Sequence, residues 1–488
     1  MSISTTSDVP MEISTYEQTL LPDYLMLKIF QYFSQEELCQ PISQVCKHWY
    51  VLSCSNEFWK KIYVEGTISF QMLFKNTDNP TDVQYIYGGY KQRLSNIFHY
   101  NPNNISFLLL RHCDLTDERF KFISNLKQLQ ELIIYVDPNT CENFTDESII
   151  HIAEHLQGLK RLCIHDHFTL TDQSLFAIST LSNLRDLDIS CLDITDNGLS
   201  YMSKNLVSLS SLTMDNDNSY LTRTEISSLH GFRNLTRVEF TLLEPSSERA
   251  FSELIKNNGN LRIVRLMDCE LSGEFIYQPH RLRHLDMIFC QRLKRKFYKY
   301  FQKEIAKLDY FRVSINGECD YYITFPYVQE LAVCIYPSSG DLDLSNTLAK
   351  YKFLKSPNLT KLDIWFGEDN IDQSCLEVVL ANCRNLTYLS IGSVYFSDSE
   401  KLNLTVSPNI ETFSAHSFGN VDILMFWKLG AALPNLIEAE FIEVRNVTPP
   451  MAEAFRSQCR YLLKLNFESY PLPPSKRRIM DRLNDSIL

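Results

Sequence analysis

The chain has 488 residues, of which 44% are hydrophobic and 22% charged, with a formal net charge of -12. That balance excludes a globally disordered chain and makes a general nucleic-acid binder a poor fit. No stretch approaches about 18 uninterrupted apolar residues, and the fourteen cysteines form no CxxC pair, so neither a membrane span nor a disulfide framework is expected.

Residues 1–18, "MSISTTSDVPMEISTYEQ", have no basic lead-in and are read as a disordered N-terminus, not a signal peptide. Scattered reduced thiols fit the cytoplasm or the nucleus. Apolar residues then crowd into Leu20–Ile62. Pro22 can open a helix, and Leu21, Leu25, Ile29 and Phe33 run at i+4 steps beside Met26 and Phe30. Ser34 with Glu37 reads as a capping box for a second helix. Val45, Trp49 and Leu52 mark a third, and Phe58 and Trp59 end the run with an aromatic pair. Three helices of this size bury too little surface to be stable alone, so the surplus apolar face is expected to belong to a partner.

The order and spacing of Leu21-Pro22, Leu25, Ile29-Phe30, Val45-Cys46, Trp49 and Phe58-Trp59 resemble those of an F-box. That resemblance spans residues 19–65. It implies docking on a Skp-type adaptor and, through it, on a cullin. By the same resemblance Leu21, Pro22, Leu25, Ile29 and Phe30 would lie against the adaptor, with Val45 and Trp49 in the core or at its edge. Gln40 and Pro41 depart from the family, which usually has a leucine-rich turn there. Residues 66–104, with "YIYGGYKQRL", are read as a linker helix region packing this module onto the rest of the chain.

From Ile105 one pattern keeps returning, L-x-x-L-x-L, as in "NLRDLDIS", "NLTKLDI" and "NLTYLSI". Fifteen starts between Ile105 and Leu462 give a mean step of about 25.5 residues, within the leucine-rich-repeat range. Period-two alternation calls for a short half-buried strand. The residues between turn helical: Leu199, Met202 and Leu206 stand at i, i+3, i+7, and Ile149, Ile152 and Leu156 likewise. The expected fold is therefore α/β, a three-helix F-box followed over residues 105–470 by a curved solenoid of about 15 repeats, with a parallel sheet inside and helices outside. Residues 471–488 are a tail. Steps of 30 and 31 after Leu129 and Val328 imply rim insertions, and steps of 21 and 20 at Leu261 and Leu308 imply helices shrunk to a turn.

This part resembles the cysteine-containing leucine-rich repeats of F-box proteins. The likeness rests on Cys113, Cys269 and Cys290 after their strands, on Cys383 and Cys459, and on "LTD" or "ITD" at Leu115, Leu170 and Ile194. The cysteines are expected to bond loop backbone, and the Thr and Asp to cap helices.

Counting the first leucine of a copy as position one, positions three, five, seven and eight should face the concave side. Summed over the copies they hold fourteen acidic and seven basic residues, which favours a protein substrate with a basic patch. The acids include Asp186, Asp188, Asp215, Asp286, Asp363, Glu438, Glu440 and Glu443; the bases include Arg111, Arg161, Arg237, Arg265, Arg312, Lys361 and Lys464. Ile288, Phe289, Tyr310, Ile315, Trp365, Phe366 and Tyr388 share that register, and Ile288, Phe289, Tyr310, Trp365, Phe366 and Tyr388, with Asp186 and Asp188, are the expected substrate-binding residues. Trp365 is the first choice among them.

His165-Asp166-His167 with Asp188 falls short of a metal-ligand set, and the basic run Arg292–Lys303 reads as a solvated helix face over Phe297, Phe301 and Ile305. No catalytic, cofactor-binding or metal residues are expected, and no nucleic acid or membrane partner. The reading is a non-catalytic substrate-recognition subunit of an SCF ubiquitin ligase. An adaptor-bound scaffold and a small-molecule-gated receptor are the alternatives.

Overall fold

In the computed structural model the described residues fall within 21–65 and 105–468, leaving out several positions between 34 and 59 and short stretches chiefly at 114–116, 137–143, 166–169, 191–193, 216–225, 278–280, 302–307, 317–323, 337–353 and 367–370. The expectations for residues 1–18, the linker 66–104, the tail 471–488 and the rim insertions after Leu129 and Val328 lie wholly or largely outside the described residues. So does most of the second expected F-box helix.

Among the described residues, sixteen strands form one parallel sheet in strict chain order. Its first strands are β1 (Lys61–Glu65), β2 (Phe107–Cys113), β3 (Glu131–Val136), β4 (Arg161–His165), β5 (Asp186–Ser190) and β6 (Ser211–Asp215). The middle is β7 (Arg237–Thr241), β8 (Ile263–Met267), β9 (His284–Ile288), β10 (Tyr310–Asn316) and β11 (Glu330–Tyr336). The sheet ends with β12 (Lys361–Phe366), β14 (Tyr388–Gly392), β16 (Thr412–His416), β17 (Glu438–Ile442) and β18 (Lys464–Glu468), while β13 (Ile371–Asp372) and β15 (Val394–Tyr395) pair with each other in a separate small sheet. This is the expected α/β repeat architecture, with one correction. The sheet begins inside the segment read as F-box, because Lys61–Glu65 pairs in parallel with Phe107–Arg111.

Each repeat leucine needs its neighbours for cover. Of the fifteen first-position residues, fourteen are buried; only Leu462, in the terminal copy, is partly exposed. Burying one such side chain contributes about 1.5–3 kcal/mol, and it is realised only when a second repeat closes over it. The Asn before the leucine locks the stack: the side-chain N–H groups of Asn183, Asn234, Asn358, Asn409 and Asn435 each donate to a carbonyl of the preceding repeat at 2.7–3.0 Å.

Helices α1 (Asp23–Phe30) and α2 (Lys47–Ser53) belong to the N-terminal module; α3 (Asp117–Ile123), α4 (Asp146–His155), α5 (Asp172–Ile178) and α6 (Asp196–Asn205) cover the first repeats, and α7 (Glu248–Asn257) covers a middle one. Their predicted stripes hold, since Ile149, Ile152, Leu156, Leu199, Met202 and Leu206 are all buried. The Thr-Asp pairs act twice. Thr145, Thr171 and Thr195 cap their own helices, and the following Asp reaches forward to the next repeat. Asp146 accepts from the Thr171 backbone N–H at 2.9 Å, from its hydroxyl at 2.7 Å, and from Ser174. Asp117 does the same for Thr145 and Asp172 for Thr195. Burial pulls the Asp146 carboxyl upward, but the hydrogen bonds from Ser174 and Thr171 together hold it below the usual carboxylate range.

The cysteines whose side chains are described behave as expected, while that of Cys113 lies outside the described residues. Cys269 Sγ donates to the carbonyls of Met267 and Phe240, Cys290 to those of Ile288 and Leu266, and Cys383 to that of Leu354. Where the helical segments shorten, a run of phenylalanines from Phe240 through Phe251, Phe275, Phe297 and Phe311 to Phe325 fills the core in ring contacts of 4.9–6.4 Å. After Leu261 the helix is reduced to a 3₁₀ turn, Glu274–Tyr277. The basic run forms α8 (Arg295–Tyr300), with Phe297 and Phe301 inward and Lys299 outward.

Replacing Asp146 by Ala strands three donors of the next repeat. The expected loss is about 1–3 kcal/mol in urea unfolding, larger than for an exposed control such as Glu154→Ala. Because the Asp146 carboxyl is held low, its contribution is present at neutral pH and disappears as pH falls through that depressed value.

Candidate functional site

Two surfaces stand out, the outer face of the N-terminal helices and the open face of the sheet. In α1, Met26 and Phe30 turn inward and join Leu38, Ile42 and Leu52 in a small core, with Leu27, Trp49 and Phe58 packed against it. Phe30 meets the Trp49 ring edge-on at 5.3 Å and the Phe58 ring at 6.3 Å. Phe58 also touches the core of the solenoid, so the two cores share one side chain.

One helical step away the stripe faces out. Leu21, Ile29 and Phe33 are 48%, 41% and 40% exposed, Leu25 is half-buried, and Tyr24 and Tyr32 stand clear of the surface. Pro22 is exposed, and its carbonyl starts the helix by accepting from Leu25 and Met26. Val45, before α2, and Val51, within it, are both exposed. Two expectations change. Phe30 does not face outward, because the i+4 row that contains it is the one the small core needs. Val45 lies outside that core instead of in it, and Trp49 sits half-buried at its edge. Apolar surface of this density on a short module marks a contact site.

On the open face, positions three, five and seven alternate with the core-facing ones, and some of them, such as Cys163, His165 and Ser390, are covered by their neighbours. Position eight does not belong with them. In the longer strands alternation carries it inward, so Phe366 and Ile315 lie in the core. In the shorter ones the chain leaves the sheet there in the left-handed region, at Leu242, Asp268, Phe289, Ser393, Ser417 and Glu443, with φ of 52–62°. That conformation costs an L-residue about 1–2 kcal/mol and is held by the next repeat. The N–H groups of Leu242, Asp268, Ser393 and Ser417 donate at 2.9–3.0 Å to the position-seven carbonyls of Met267, Ile288, His416 and Ile442. Phe289 N–H instead takes Ser314 Oγ, at 2.8 Å, beside the longer β10.

Several of the charges counted as acidic surplus are paired, mostly between neighbouring strands. Arg161 meets Asp186 at 3.3 Å and His165 meets Asp188 at 3.3 Å. Glu239 takes both Arg237 (2.5 Å) and Arg265 (2.9 Å), Asp286 takes Arg312 (3.5 Å), and Glu330 takes Lys361 (2.5 Å). Burial raises the Asp186 carboxyl despite Arg161. The face therefore presents an alternating lattice where open carboxylates were expected, and the predicted preference for a basic patch weakens over β4–β12.

The predicted aromatic cluster also divides. Tyr310 stacks on His284 at 4.1 Å and 19°, whereas Trp365 belongs to a separate group. Its indole N–H donates to Asp363 Oδ1 at 2.6 Å, and its ring reaches His416 at 4.6 Å. Between them Gly392 is required, since a Cβ there would fall 2.8 Å from the indole. Tyr388 is half-buried, its phenol pushed up by burial and by Asp363. Ile288 is half-buried and Phe289 exposed. His284 and His416 are missing from the residues expected on sequence grounds; their positions, three and seven of their copies, were the available signal.

At the centre of the face Asp286 Oδ1 and His284 Nε2 are buried without a hydrogen-bond partner. Burial raises the Asp286 carboxyl to about 6 against the pull of Arg312 and Arg265, while burial and then Arg265, Arg237 and Arg312 lower His284 to about 3. The two act on stability with opposite sign. The raised carboxyl binds a proton in the folded chain first, so its share falls as pH rises from about 4 to 6; the lowered imidazole contributes a share that grows from about 3 to 6.5. The stability advantage of wild type over Asp286→Asn should shrink from pH 4.5 to 6.5, and that over His284→Gln should grow, in urea titrations at both pH values.

Residues 19–65 match the F-box-like family model. A Caenorhabditis elegans protein named "Putative RNA-binding protein EEED8.10" is 28% identical over 160 residues, which cover 30% of this chain and 21% of that protein. Among solved structures, the yeast Rad7 and Elc1 complex overlaps with a TM-score of 0.40 at 14% identity, covering 91% of this chain and 90% of that one. An internalin from Listeria monocytogenes overlaps with a TM-score of 0.30 at 17% identity, covering 73% and 90%. The N-terminal helices of this protein are thus an F-box-like domain, joined to a parallel leucine-rich-repeat sheet.

Proposed function

We propose that this protein is a substrate-recognition subunit of an SCF-type ubiquitin ligase. The F-box-like domain docks on a Skp-type adaptor, the adaptor links it to a cullin, and the open sheet face holds a protein substrate for ubiquitination and proteasomal degradation. The observation that carries this reading is the outward stripe of α1, Leu21, Leu25, Ile29 and Phe33, on a domain whose own core is satisfied by Met26 and Phe30. Such a stripe gains by being covered, at about 25 cal/mol per Å². The chain itself is non-catalytic in this scheme. It holds a substrate lysine near ubiquitin activated by other subunits, a proximity effect.

The open face suits recognition of a folded or extended protein segment. It offers half-buried rings at Tyr310, Trp365 and Tyr388, and the unpartnered Asp286 Oδ1 and His284 Nε2 can meet polar atoms of a guest. Glu438 and Glu440 on β17 are where a basic patch on the substrate fits best. The formal charge of -12 weighs against a nucleic acid in that role. Action in the cytoplasm or nucleus follows from the partners; no helix among the described residues is long and apolar enough to cross a membrane.

The double variant Leu21→Asp/Ile29→Asp should lose adaptor affinity by about 100-fold or more in a binding titration, each side chain acting as an anchor worth about 2 kcal/mol. Unchanged helix content by circular dichroism separates lost docking from lost folding. Adaptor binding retained at wild-type strength would refute the proposal. Deleting residues 20–62 should lengthen the lifetime of a bound partner in cells; an unchanged lifetime would favour a non-degradative scaffold.

A further inference from the structure

On the outer side of the solenoid, α4 carries His151, Glu154 and His155 at i, i+3 and i+4. One ligand atom from each lies within 4.8 Å of the others, and the two imidazole rings are 4.2 Å apart. Glu154 and His155 are exposed and His151 is half-buried. We infer that this triad is a binding site for zinc or a similar borderline divalent transition ion.

Such a site depends on which nitrogens hold protons. His155 Nδ1 lies 2.9 Å from the His151 carbonyl oxygen, which can only accept, so Nδ1 carries the proton and Nε2 keeps its lone pair. Ser124 has a single hydroxyl proton and donates it to the Lys121 carbonyl at 2.7 Å. Toward His151 Nε2, 3.1 Å away, Ser124 Oγ must then accept, which places the proton on Nε2 and leaves the lone pair on Nδ1. Both imidazoles thus have one nitrogen anchored and the other free. Anchoring of the distal N–H by a carbonyl or hydroxyl is how ligating histidines are oriented in metal sites.

Two nitrogens and a carboxylate oxygen suit zinc, copper or nickel better than calcium or magnesium. Around a tetrahedral zinc the ligand atoms stand about 3.4 Å apart, within reach of small rotations of exposed side chains. His155 closes α4, where the helix dipole favours a cation. The fourth position is left for water. The spacing His-x-x-Glu-His also occurs in zinc peptidases, where the Glu works as a base over a substrate cleft. Here Glu154 is on open surface and serves as a ligand, so the site binds metal without hydrolysing anything.

The test is zinc titration of the full chain against a chromophoric chelator, with hydrogen exchange of α4 followed in parallel. Wild type should take up one equivalent more than His151→Ala/His155→Ala, and zinc should slow exchange in the last turn of α4 only in wild type. Ser124→Ala, which releases the His151 tautomer without removing a ligand, should weaken binding about 10–100-fold. Equal stoichiometry in wild type and double variant, or no added protection of α4, overturns the assignment. Should the double variant misfold, His155→Ala alone, at an exposed position, makes the same comparison.

Discussion

Every part of this protein depends on one constraint: a strand–turn–helix unit cannot cover its own leucines. The first-position residues are buried because neighbouring repeats close over them, and Leu462 in the terminal copy is only partly covered, so cohesion runs along the stack from neighbour to neighbour. The polar groups follow the same rule. The Asn before the leucine, the Asp after the helix-capping Thr and the cysteine after the strand all bond backbone one repeat away. What resembles a set of local signatures is a set of contacts between repeats.

Dependence on a neighbour also explains the strained exits from the sheet. Leu242 and Phe289 are bulky residues with positive φ, a conformation they would not hold in isolation. The chain must leave the strand there to enter the outer layer, and the position-eight N–H is caught by the following repeat, by a carbonyl or by Ser314 Oγ. Where the strand runs on, as in β10 and β12, the same position simply alternates inward and becomes core, as Ile315 and Phe366 do.

The outer face of the F-box-like domain and the open face of the sheet use different chemistry. The F-box-like domain splits its apolar residues between two adjacent helical rows, one satisfied within the chain and one left outside. The open face is polar, and over its middle strands several of its charges meet in cross-strand ion pairs. Its rings are fixed by their neighbours, Trp365 by Asp363 and Gly392, Tyr310 by His284. Rigid, half-buried aromatics of this kind lose little freedom when something binds.

Residue periodicity determined the repeating α/β architecture, the sheet's parallel sense and the buried helix stripes, while the F-box-like module and the cysteines' place in the repeats were legible through their resemblance to known families. These depend on spacing within one copy, and spacing is what a sequence displays. Tertiary structure decided what depends on separate copies meeting: that Lys61–Glu65 opens the sheet, that Phe30 is inside while Ile29 is outside, that position eight turns away, and that Asp186, Glu239 and Asp286 each meet an arginine on an adjacent strand. The His151, Glu154 and His155 group belongs to the second kind. Its spacing is visible in the chain, but the proton positions that make it a ligand set come from Ser124, which only the packing of successive repeats brings to His151.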